Sequence, residues 1–69
     1  MTNVANELYS FVKNNMQYEL NKVRTDDIRD LTVDVRRIVN NAMKKLTKAY
    51  YDHTYEEVCR NIIREFNQR

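Results

Sequence analysis

The chain has 69 residues, a formal net charge of +2 from 12 Lys and Arg against 10 Asp and Glu, and neither glycine nor proline. That length holds one domain, spanning residues 1–69. The missing glycines exclude phosphate-cradling loops and nucleophile elbows, whose turns need glycine at set positions. The mild, interspersed charge is that of solvated helix surface rather than of a protein that coats DNA.

The first segment runs from about Asn3 to Val23. Val4, Leu8, Phe11, Val12, Met16, Leu20 and Val23 recur at spacings of three and four, which is one face of a helix. Thr2 or Asn3 is suited to cap it, because a short polar side chain accepts from the free N–H groups of the first turn. Arg24-Thr25-Asp26-Asp27 is the first break. Thr25 is the expected N-cap of the next helix, with Asp26 and Asp27 in its first turn, where the helix dipole favours negative charge.

The middle segment carries Ile28, Leu31, Val35, Ile38, Ala42, Leu46 and Ala49 on one seam, with Lys45 intruding. Read as one helix from Asp26 to about Asp52, it is roughly 40 Å long. A stripe of that length needs the first helix or a second copy to cover it. Asp52-His53 then provides the turn, with Asp52 in the left-handed conformation that glycine usually takes. Thr54-Tyr55-Glu56-Glu57 has the form of a capping box, and Tyr55, Val58, Cys59, Ile62, Ile63 and Phe66 make a wide apolar face after it.

A second reading of the middle segment stays open. Leu31-Thr32-Val33-Asp34-Val35 also alternates apolar and polar residues, as a strand does. A strand there, followed by helices over about Arg37–Tyr51 and Tyr55–Asn67, resembles the ribbon-helix-helix family of dimeric DNA-binding repressors. The resemblance covers about half the chain. It implies Leu31, Val33 and Val35 facing inward, and Asp30, Thr32 and Asp34 facing the major groove. Two carboxylates facing a polyanion are a departure from what such a groove wants, and the glycine between the family's helices is missing.

Little in the sequence carries chemistry. His53 is the single histidine and Cys59 the single cysteine. A nucleophilic pair would need both in one cleft with a third group orienting the imidazole, whereas a small buried cysteine usually packs. Asp26, Asp27, Asp30 and Asp34 form an acidic run without the glycine of a calcium loop. Arg36, Arg37, Asn41, Lys44 and Lys48 line the basic half of the same segment and could track a phosphate backbone. Tyr50, Tyr51 and Tyr55 cluster at the second corner, and tyrosine is common where proteins bind one another.

The expectation is therefore an all-α domain with a long central helix and two flanking helices, assembled as a homodimeric bundle. Its expected role is non-enzymatic, without metal, cofactor or small-molecule substrate: a regulator or inhibitor docking on a protein partner through Tyr50, Tyr51 and Tyr55. DNA is the alternative partner, through the ribbon-helix-helix arrangement or the Arg36–Lys48 stripe. No segment reaches the ~20 apolar residues of a membrane span, and the first residues lack the basic and apolar regions of a secretory signal. A cytoplasmic setting follows. The Asn-, Ile- and Tyr-rich composition suits an A+T-rich source such as a phage or plasmid.

Overall fold

A computed structural model of the chain describes residues 2–24 and 26–68. Four helices follow in order: α1 (Asn3–Asn15), α2 (Gln17–Asn21), α3 (Ile28–Leu46) and α4 (Asp52–Asn67). No strand occurs among the described residues. The alternation over 31–35 is thus overturned as a strand. Those residues are the second turn of α3, with Leu31 and Val35 fully buried and Val33 54% exposed. The ribbon-helix-helix arrangement falls with it. A spacing of four separates the two inward positions Leu31 and Val35, which suits a helix face as well as a strand face, and the flanking three-and-four spacing decides for the helix.

The expected first helix is two helices in series. The Thr2 hydroxyl accepts from the Ala5 N–H at 3.2 Å and caps α1. The break falls at Met16, with φ −114° and ψ 20°. Nearby, the Asn15 amide donates to the Phe11 carbonyl at 3.1 Å, a local bond that competes with regular helix. The bend costs no main-chain bond at its centre. Met16 N–H still donates to the Val12 carbonyl and Leu20 N–H to that of Met16, each at 2.9 Å. The apolar stripe therefore continues through the kink, and Leu8, Val12, Met16 and Leu20 are all buried. Val4, expected on that stripe, is 47% exposed, and Ala5 takes the buried place.

Asp27, rather than a first-turn residue, caps α3: its carboxylate accepts from the Arg29 N–H at 2.8 Å. The cap expected at Thr25 lies outside the described residues. Asp26 precedes the helix, and Asp30 is the acidic residue of its first turn. The helix ends at Leu46, six residues before the expected Asp52. Thr47 takes the left-handed conformation at φ 49°. Its N–H donates to the Lys44 carbonyl at 3.1 Å, and Lys48 N–H donates to that of Met43 at 3.3 Å. This pair of bonds closes the C-terminus as a Schellman motif does. Asp52, assigned the left-handed role from sequence, is instead the first residue of α4. The early stop has a packing reason. Leaving the helix at Thr47 lets Tyr50 fold back against the core, where it is half-buried.

The capping box is not formed either. Tyr51 precedes α4 with no side-chain cap bond, and Thr54, in the first turn, is buried at 3% exposure. One core results. Leu8 and Val12 of α1, Leu31, Val35, Val39 and Ala42 of α3, and Val58, Ile62 and Phe66 of α4 meet in it. The inner stripe of α3, roughly 28 Å long at 1.5 Å per residue, packs against both α1 and α4. One copy of the chain thus covers the stripe that the sequence suggested a second copy might have to cover. Ile28 and Ala49, the two ends of the expected seam, stay exposed. Among the described residues no helix is long and apolar enough to cross a membrane.

Candidate interaction surface

The candidate residues divide between two grooves. The first lies at the corner between α3 and α4. Thr2, Val4, Lys48, Ala49, Tyr50, Tyr51, His53 and Thr54 line it. The four non-helical residues 48–51 follow the Thr47 turn and set its wall. Tyr51 is 77% exposed. Its ring stacks on His53 with centroids 5.6 Å apart and planes 7° from parallel. Tyr50 turns inward instead. Its hydroxyl is buried beside Glu7 without a hydrogen bond of ordinary geometry; burial first, and then the Glu7 carboxylate, push its pKa up. Lys48 closes the side of the groove, donating to both carboxylate oxygens of Glu7 at 2.9 Å and lying 5.4 Å from the Tyr50 ring centroid.

The second groove runs between α3 and α4 and is lined by Val33, Arg36, Arg37, Asn40, Asn41, Lys44 and Tyr55. It holds four of the five residues proposed for nucleic acid, together with the third tyrosine. The Tyr55 hydroxyl donates to the Arg36 carbonyl at 3.2 Å and accepts from the Asn40 amide at 3.3 Å. The Arg36 guanidinium sits 5.1 Å over the Tyr55 ring and donates to both oxygens of Glu56, at 2.9 and 3.1 Å. Arg37 has a looser partner in Asp34, at 3.7 Å one turn back. Lys44 has no ion-pair partner among the described residues. Two members of the basic stripe read from sequence, Arg36 and Lys48, are therefore engaged within the chain. Only Arg37, Asn41 and Lys44 present free or loosely held groups along it, and Lys48 belongs to the corner.

A third groove, between α2 and α3, includes Glu19, Lys22, Asp34, Arg37 and Asn41. One Glu19 carboxylate oxygen is buried there with no hydrogen-bond partner among the described residues. Arg37 and Asn41 line this groove and the second one, so they form the ridge between the two.

His53 and Cys59 do not come together. His53 is exposed against Tyr51, while Cys59 is 2% exposed in the core. Six residues apart on one helix, they point about 120° apart. Burial, the largest influence, raises the Cys59 pKa from 9.0 to about 11. At neutral pH it is a thiol, and thiols are poor nucleophiles. No group of three or more His, Cys, Asp or Glu side chains could hold a metal ion among the described residues. The acidic run is spread out: Asp27 caps a helix, and Asp34 faces Arg37.

Sequence reasoning missed Val4, Glu7 and Glu56 as parts of these surfaces. The two glutamates pair with residues 41 and 20 positions away, and no local pattern signals such a pairing. Val33 had a signal, since it falls off the helical seam. The chain matches no family model, no curated protein and no solved structure.

Proposed function

We propose that this is a small, non-enzymatic regulatory or inhibitory protein, a homodimer that docks the corner between α3 and α4 on a protein partner. The observation that carries the reading is the pairing of Tyr51, 77% exposed and stacked on His53, with Val4, 47% exposed, in one groove. Single exposed apolar residues are ordinary, but an aromatic already held by a stacked neighbour loses little side-chain freedom on binding. Rigid aromatic anchors of this kind dominate many protein interfaces. A cytoplasmic setting goes with the reading, since the single cysteine is a buried free thiol.

The test is a photo-crosslinking residue at position 51, with one at position 17 on α2 as control. The expected outcome is one protein adduct specific to position 51. With that partner purified, Tyr51→Ala should weaken binding by tenfold or more, about 1.4 kcal/mol. Equal adducts at both positions, or unchanged affinity in Tyr51→Ala, would count against the reading.

DNA binding is supported by a separate observation, the exposure of Arg37, Asn41 and Lys44 along one face of α3. Anisotropy titration with mixed-sequence duplex tests it. Backbone binding falls steeply with salt, and Lys44→Ala should flatten that slope by about one unit. Absence of binding at low salt removes this alternative.

A further inference from the structure

We infer that the outer face of α3 pairs, antiparallel, with the same face of a second copy; the inference rests on the homodimer within the reading above and names its surface. Asp30, Val33, Asp34, Arg37, Asn41 and Lys44 recur at three and four residues. They fall within about 120° of one another around the helix and span about 21 Å along it. All are exposed or half-exposed, and they lie opposite the buried stripe of Leu31, Val35, Val39 and Ala42.

The charge on this face is split by position. Its first half carries Asp30 and Asp34; its second half carries Arg37 and Lys44, with Asn41 between them. A two-fold pair must be complementary to itself. Laid antiparallel, each acidic half meets the other copy's basic half. In a register where Asp34 meets Lys44 of the other copy, Arg37 meets Asn41, so the two Arg37 side chains stay apart. A parallel pair would set Asp30 against Asp30 and Lys44 against Lys44, so the charges select the sense. Val33, 54% exposed in the acidic half of the face, lies against the aliphatic stems of the opposing basic side chains. One helix pair buries less than the ~1,200 Å² of a standard interface, so the dimer is weak and sensitive to salt.

The experiment is sedimentation equilibrium up to about 0.5 mM protein, at about 50 and 500 mM salt, where the screening length falls from over ~10 Å to a few Å. Two further chains are compared: one with Asp30→Lys and Asp34→Lys, whose face is wholly basic, and one with Arg37→Asp and Lys44→Asp, whose face is wholly acidic. Circular dichroism confirms that both remain helical. The inference expects a wild-type dimer that weakens at high salt, two variants that are monomers alone, and a dimer on mixing them one to one. A dimer that persists unchanged in both variants overturns the α3 surface and leaves the homodimer standing. A wild type that stays monomeric throughout overturns both. Should the wild type be monomeric and bind duplex DNA through Arg37 and Lys44, the face is a phosphate track.

Discussion

α4 is held to its two neighbours by the same kinds of side chain in different surroundings. Against α1, the Tyr9 hydroxyl donates to one oxygen of Glu65 while Lys13 donates to the other at 2.8 Å, and each charged side chain is about one-third exposed. Against α3, Arg36 pairs with Glu56 with both side chains nearly half exposed, at 45% and 44%. A tyrosine stands in each seam with a raised pKa, for different reasons. The hydrogen bond to Glu65 is the largest cause for Tyr9, which reaches about 12. For Tyr55 it is burial, opposed by the Arg36 charge. The α1–α4 seam thus binds a neutral donor and a cation to one partly sheltered carboxylate. The α3–α4 seam leaves its charges to water and buries only its ring. Ion pairs gain worth as water is withdrawn, and exposed ones contribute little, so the two seams should respond very differently to the same kind of substitution.

The largest response is expected at Glu65. Glu65→Ala strands the Tyr9 hydroxyl and the Lys13 ammonium together, at a cost of about 2 kcal/mol. In a domain of this size that lowers Tm by on the order of 10 °C. Tyr9→Phe removes one donor and leaves the Lys13 pair, so about 1 kcal/mol is expected in a urea melt. A loss at Tyr9 equal to that at Glu65 would mean that Lys13 adds nothing, and the seam would then be a single hydrogen bond.

Alkaline pH separates the seams without changing a contact on the acid side. The folded state holds the Tyr9 proton more tightly than the unfolded chain does, because its pKa of about 12 exceeds the ordinary 10.0. Stability from that proton is whole below pH 10 and is lost as pH rises toward 12. Cys59, beside Tyr55 in the other seam, adds a loss between pH 9 and about 11 for the same reason, with burial as the cause. Tyr50 and Tyr55, raised as well, add to the loss above pH 10, so Tyr9→Phe should reduce the upper part of the decline without abolishing it, and Cys59→Ala should remove the lower part. Stability measured at a series of pH values from 8 to 12 resolves the two. A wild-type curve flat to pH 12 would break the account of both groups.

The helices themselves were legible from local pattern. Spacings of three and four marked the buried faces of α3 and α4 closely, because core burial is the strongest force acting on those residues. Their ends were not. Asp52 and Thr54 had the right chemistry for a turn and a cap, but short polar side chains suit several neighbouring positions, and closing the core chose among them. Folding Tyr50 inward stopped α3 at Thr47, a β-branched residue that no local rule nominates for a left-handed turn. The three clustered tyrosines part company in the fold: Tyr51 is exposed, Tyr50 is half-buried against the core, and Tyr55 lines another groove. The carboxylates that occupy Arg36, Lys48 and Lys13 lie 20 to 52 positions away in the chain, so two cations of the sequence's basic stripe became ties in the fold while Lys44, among the described residues, did not.

The smallest response is expected at the Arg36–Glu56 pair, and it is the sharpest check on the comparison. The pair has good geometry, with one guanidinium nitrogen donating to both oxygens. Good geometry at an exposed site still gains little, since water screens the charges and two long side chains must be held still. A double-mutant cycle with Arg36→Met and Glu56→Gln isolates the coupling, and retaining the Arg36 stem as Met keeps apolar contact with the Tyr55 ring. The coupling should be small at low salt and vanish by about 0.5 M, where the screening length is under ~5 Å. The Lys13–Glu65 coupling, measured the same way, should keep most of its value. If both couplings vanish together, shelter from water is not what distinguishes the seams. The Tyr9 hydrogen bond would then be the one feature that does.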